Sequence, residues 1–121
     1  MWIEGLLMAA AAIGWRPWQA LAQPQSQEPE GRRAFTLVAR TYLFDPDVLD
    51  VRRNDVVRIS ITSEDIAHSF TIDRYRVQKR IPAGGTVSFE FRADEAGRFP
   101  FYCSMRADPR CREMRGELIV R

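Results

Sequence analysis

Residues Val56–Ile72 read VVRISITSEDIAHSFTI, and the character of this stretch decides the fold. From Val56 to Ile61 the chain alternates, with Val57, Ile59 and Ile61 on one side and Val56, Arg58 and Ser60 on the other. Period-two alternation over a short run is the signature of a half-buried strand. After the polar TSEDIA segment, His68–Ile72 (HSFTI) reads as the next strand.

The same rhythm recurs on both sides. Ala34–Arg40 (AFTLVAR) puts Phe35 and Leu37 on one face, and Thr86–Phe91 (TVSFEF) puts Val87, Phe89 and Phe91 together. RFPFYC (98–103) and GELIV (Gly116–Val120) supply two more short strands. Turn formers separate them: Asp45-Pro46, Asn54-Asp55, Pro82–Gly85 and Glu95–Gly97. Beyond the N-terminal segment no 3.6-residue apolar period is sustained, so the expected fold is all-β, a two-sheet sandwich. Pro100 inside a strand predicts an edge or a bulge there.

The chain has 121 residues, consistent with one domain. Gly5–Gly14 (GLLMAAAAIG) is an apolar run about half as long as a membrane-spanning helix needs. Ala20-Leu21-Ala22 then fits a small-x-small cleavage site, although Glu4 stands where a basic residue is usual. Residues 1–22 are therefore expected to be a secretory signal peptide, 23–33 (QPQSQEPEGRR) a flexible linker, and 34–121 the folded domain. That reading implies a periplasmic or secreted protein with no membrane span. The formal net charge is +2, and the arginines are scattered rather than striped, which argues against a nucleic-acid partner.

Chemistry concentrates near the C-terminus, in FYCSMRADPRCREMRG (Phe101–Gly116). Cys103 and Cys111 are spaced C-x7-C, and Met114 follows as C-x2-M. A loop between two strands can bring three such side chains to one point, and the single histidine, His68, can add a fourth from a neighbouring strand. Histidine and cysteine ligation with a long thioether contact is the pattern of copper electron-transfer sites. Thiolate and thioether are soft donors that favour Cu(I), and two cysteines with one histidine can also hold zinc. The competing reading is a Cys103–Cys111 disulfide, the default for two cysteines in an exported chain. It closes a loop of about 9 residues and stabilises by roughly 2.6 kcal/mol. Oxidised cysteines are not thiolates, so metal and disulfide exclude each other. Asp65, three residues before His68, is placed either to orient the imidazole or to cap the turn. Arg106, Arg110, Arg112 and Arg115 make either a solvated rim or a basic collar that steers an acidic partner. No Ser-His-Asp pattern or phosphate-cradling glycine loop is present, so no enzyme activity is expected.

FDPDVLDVRRNDVVRISITSEDIAHSFTI, IPAGGTVSFEF, AGRFPFYC and the closing C…M.G.L.V pattern together resemble the cupredoxins, and within them the copper domain of cytochrome c oxidase subunit II. The resemblance runs from about Tyr42 to Val120. It implies a Greek-key β-sandwich that binds copper for electron transfer to a redox protein partner. Aligned without a gap on Cys103, Met105 falls where that domain has a coordinating glutamate, Ala107 where it has its second bridging cysteine, and Cys111 where it has its second histidine. Without a thiol at Ala107 the dinuclear centre of that domain is not expected. The set that remains, His68, Cys103, Cys111 and Met114, implies one copper ion with Cys103 as principal thiolate. Two other functions stay open: a Cu(I) carrier that passes the metal on, and a metal-free sandwich with a Cys103–Cys111 disulfide that serves protein contacts.

Overall fold

A computed structural model describes residues 30–121. The expected signal peptide and most of the expected linker lie outside the described residues. Nine strands follow one another: β1 (Arg32–Arg40), β2 (Leu43–Asp45), β3 (Val48–Val51), β4 (Val56–Ser63), β5 (His68–Ile72), β6 (Val77–Ile81), β7 (Thr86–Arg92), β8 (Gly97–Tyr102) and β9 (Arg115–Val120). They form two sheets, β2-β1-β4-β7 and β3-β9-β8-β5-β6. This is the β-sandwich that the alternation predicts. Among the described residues no helix is long and apolar enough to cross a membrane.

The alternating faces meet in the middle. Val57, Ile59 and Ile61 of β4 are fully buried, with Leu37 of β1 and Phe89 of β7 beside them. The second sheet contributes Phe70, Ile72, Phe101 and Leu118. Phe44, Phe70 and Phe101 form an aromatic trio with centroids 4.8–5.6 Å apart, each pair adding about 0.5–1.5 kcal/mol beyond its buried area.

β1 begins at Arg32, two residues before the expected strand start. Parallel pairing of Arg32 with Val56, and a 2.8 Å hydrogen bond from the Val56 N–H to the Gly31 carbonyl, draw two polar residues into the ladder. β2, β3 and β6 escape the sequence pattern altogether. The first two are too short to show a period. In β6 only Val77 and Ile81 are buried, because Lys79 stands between them on the same face, exposed, with its amine 5.6 Å from the Phe89 ring centre. Pro100 sits in β8, an interior strand rather than an edge. β8 pairs with β5 only at Tyr102–Thr71, however, so no ladder on that side calls for the N–H that proline lacks.

The registers put the last residues of β1, β4, β6 and β8 and the first residues of β2, β5, β7 and β9 at one end of the sandwich. The segments that cross this end are 41–42, 64–67, 82–85 and 103–114.

Candidate metal centre

The 103–114 segment is tied at its base. The Cys103 N–H donates to the Met114 carbonyl at 3.2 Å, closing the mouth between β8 and β9. Within it, Pro109–Glu113 forms a short 3₁₀ turn. Asp108 caps the turn by accepting from the Arg110 N–H at 3.0 Å, and Pro109 supplies the fixed φ of a first position. The turn brings Cys111 back toward β8. Its Cα lies 5.2 Å from that of Cys103, and the two sulfurs are bonded to each other. Cys103, Cys111 and Met114 are all buried. Two donors face the sulfurs: the Met105 N–H lies 3.2 Å from Cys111 Sγ, and the Ser69 hydroxyl 3.7 Å from Cys103 Sγ.

His68 opens β5 at the same end and is 1% exposed. Its Nε2 lies 2.7 Å from Asp65 Oδ1. Asp65 also accepts from the Thr41 N–H at 2.8 Å, the Thr41 hydroxyl at 3.1 Å and the Ile66 N–H at 2.7 Å. Burial pushes the Asp65 carboxyl up, but these hydrogen bonds, from Thr41, His68 and Ile66, outweigh it and hold the group well below the usual carboxylate range. An ionised Asp65 can only accept, so Nε2 carries the proton of that bond and Nδ1 is the ring nitrogen left for other partners. The same carboxylate joins the 41–42 and 64–67 segments.

The fold thus brings Cys103, Cys111 and Met114 into one buried cluster, with His68 at the same end but engaged with Asp65. Among the described residues no three histidine, cysteine, aspartate or glutamate side chains form a ready metal cage. A disulfide has no thiolate to offer, so the oxidised pair does not fit a metal. Reduced, the pair would present two buried thiols beside a buried thioether, donors of the soft type that suits Cu(I).

Residues 8–120 match the family model of the cupredoxin-like domain. The chain belongs to the cupredoxin-like family. Solved structures share the fold. The periplasmic domain of cytochrome oxidase subunit II from Bradyrhizobium japonicum superposes with a TM-score of 0.64 at 17% identity, over 73% of this chain and 83% of that one. Auracyanin A, a blue copper protein of Chloroflexus aurantiacus, gives 0.63 at 15% identity, over 74% and 99%. The metal-binding domain of a Cu(I)-exporting P-type ATPase of Streptococcus pneumoniae gives 0.64 at 14% identity, over 79% and 92%.

The arginines of this cupredoxin do not form one uniform collar. Arg110 is bound to Glu113 at 3.1 Å and stacks over the Tyr42 ring at 4.3 Å. Arg115 lies over Tyr102 instead, 5.6 Å from its centroid. Sequence reasoning missed Ser69 and the Met105 amide as partners of the sulfurs. Ser69 lies on the outward alternation of HSFTI, where a small hydroxyl reads as surface, yet it is buried. A backbone N–H leaves no mark in the sequence.

Proposed function

We propose that this cupredoxin handles one copper ion outside the cytoplasm, holding it as Cu(I) through His68, Cys103, Cys111 and Met114 when the cysteines are free thiols and not when they are joined as the disulfide. The observation that carries this reading is the Cys103–Cys111 pair, buried beside Met114 and within bonding distance of each other. An electron carrier must keep its thiolate in both copper states. Here a second thiol lies within bonding reach of the first, and two Cu(II) ions oxidise such a pair to the disulfide with release of two Cu(I) and two protons, which makes a lasting Cu(II)-thiolate state unfavourable. The ligand chemistry and the pair's geometry therefore favour carriage of Cu(I) over one-electron cycling, and no catalysis is assigned.

Electron transfer is the second reading. It is favoured by the buried Met114 and by an imidazole with Nδ1 free, which together with one thiolate are the ligand types of a blue copper site. An anaerobic competition titration with a chromogenic Cu(I) chelator separates the readings, run on the reduced and the oxidised chain. The expected result is one Cu(I) per reduced chain and none on the oxidised chain. Cu(I) bound equally by both forms would sink the proposal. A stable, intensely coloured Cu(II) form with reversible voltammetry would give the site to electron transfer.

A further inference from the structure

Behind Cys103, on the outer face of the five-stranded sheet, lies a recess of about 280 Å³ lined by Thr71, Asp73, Arg76, Gln78, Tyr102 and Ser104. Its floor is polar. The Ser104 hydroxyl lies 2.9 Å from Thr71 Oγ1 and 3.4 Å from Gln78 Nε2. Its one carboxylate, Asp73, accepts the Tyr102 hydroxyl at 3.0 Å on both oxygens.

The rim is basic. Arg76 lines the recess, Arg115 lies over the Tyr102 ring, and Arg112 and Arg115 both sit near enough to the Tyr102 hydroxyl to favour its ionisation, against the stronger effect of its hydrogen bond to Asp73. All three arginines are exposed, and none has a carboxylate partner among the described residues. Three acids of the flanking segments are already matched. Glu95 pairs with Arg74, Glu117 with Arg98 and Glu113 with Arg110. Three guanidiniums without an ion pair among the described residues therefore lie in or around a recess that holds a single carboxylate.

We propose that this recess is the docking site for an acidic segment of a protein partner, with one carboxylate entering beside Arg76 and Gln78 and its neighbours meeting Arg112 and Arg115. Charge complementarity identifies the occupant. The three arginines come from separate places (the turn before β6, the 103–114 segment and the start of β9), so a chain of carboxylates spans them where a single small anion does not. The position matters because Tyr102 and Ser104 flank Cys103, and a segment bound there rests on the backbone that carries the candidate ligand. The inference concerns the surface alone and holds whether or not the site takes copper.

The test uses the full chain and a fluorescein-labelled hexaglutamate peptide at low ionic strength, read by anisotropy and by amide chemical shifts. Shifts should centre on Arg76, Gln78, Tyr102 and Ser104. Replacing Arg76, Arg112 and Arg115 together by Gln should weaken binding about tenfold, the product of three exposed charge contacts. Replacing Arg32, Arg58 and Arg92, all on the four-stranded sheet, should leave it nearly unchanged. All six positions are exposed, so an unchanged spectrum outside the substituted sites confirms an intact fold. Equal loss in both triple variants, shifts centred elsewhere, no binding, or free glutamate binding as tightly as the peptide would each overturn the proposal.

Discussion

Reducing the Cys103–Cys111 bond has a calculable effect. The bond spans a sequence separation of 8 and closes a loop of about nine residues. Loop-closure entropy then assigns it about 2.6 kcal/mol at 25 °C. Two buried thiols are well tolerated in an apolar interior, so reduction adds little further penalty. With a urea dependence of about 1.5 kcal/mol/M for a domain of this size, the oxidised chain should unfold at a midpoint about 1.7 M higher than the reduced one. Circular dichroism of the sheet is the appropriate signal, because all three tryptophans precede residue 30. Cu(I) extends the experiment. A ligand held at one hundred times its dissociation constant adds about 2.7 kcal/mol, nearly the disulfide's own contribution. Buffered Cu(I) should therefore return the reduced chain close to the oxidised midpoint and leave the oxidised chain where it was. Equal midpoints for the two redox forms would refute the loop-closure argument. An equal Cu(I) shift in both forms would refute the mutual exclusion of metal and disulfide.

Two further perturbations test the frame around the site. Gly116 opens the exit from the 103–114 segment, and a methyl there would meet the Phe101 ring and, at 2.5 Å, the Asp47 carbonyl, which already accepts the Glu117 N–H. Phe101 is locked in the aromatic trio and cannot yield, so Gly116→Ala should destabilise by about 3 kcal/mol in urea unfolding, and an unchanged midpoint would contradict this packing. Asp65 has a depressed carboxyl pKa in the folded state, so it stabilises the fold above the ordinary aspartate value of about 3.9 and that contribution is lost as pH falls below it. Asp65→Asn should be less stable at pH 7 and flatter in its stability between about pH 4 and 2, and parallel curves for the two proteins would contradict the hydrogen-bond argument.

Much of the fold is legible because burial on one face imposes alternation: Val57, Ile59 and Ile61 in β4 need only be read in order. The pattern fails where another force substitutes for an apolar side chain. Lys79 stands at the position of β6 that shares a face with Val77 and Ile81 and places its charge over Phe89 while staying exposed, which hides the strand. The parallel pairing of β1 with β4 is also silent, since parallel and antiparallel neighbours leave the same period in each strand. At the site, residue types and spacing single out His68, Cys103, Cys111 and Met114, but the spacing alone is equally compatible with a bonded and a ligating cysteine pair. The recess behind Cys103 was invisible because Thr71, Gln78 and Ser104 come from different strands or segments and read singly as ordinary surface residues.

The central claim is that copper and the disulfide exclude each other on this chain. Native mass spectrometry of protein exported to a bacterial periplasm in copper-supplemented medium tests it most directly, with a parallel aliquot alkylated and denatured to count thiols. The account predicts that molecules carrying one copper have both thiols free and that metal-free molecules weigh two hydrogens less than the reduced mass. Copper retained on molecules whose Cys103–Cys111 bond is intact, or a reduced population that stays free of copper in that medium, would contradict it.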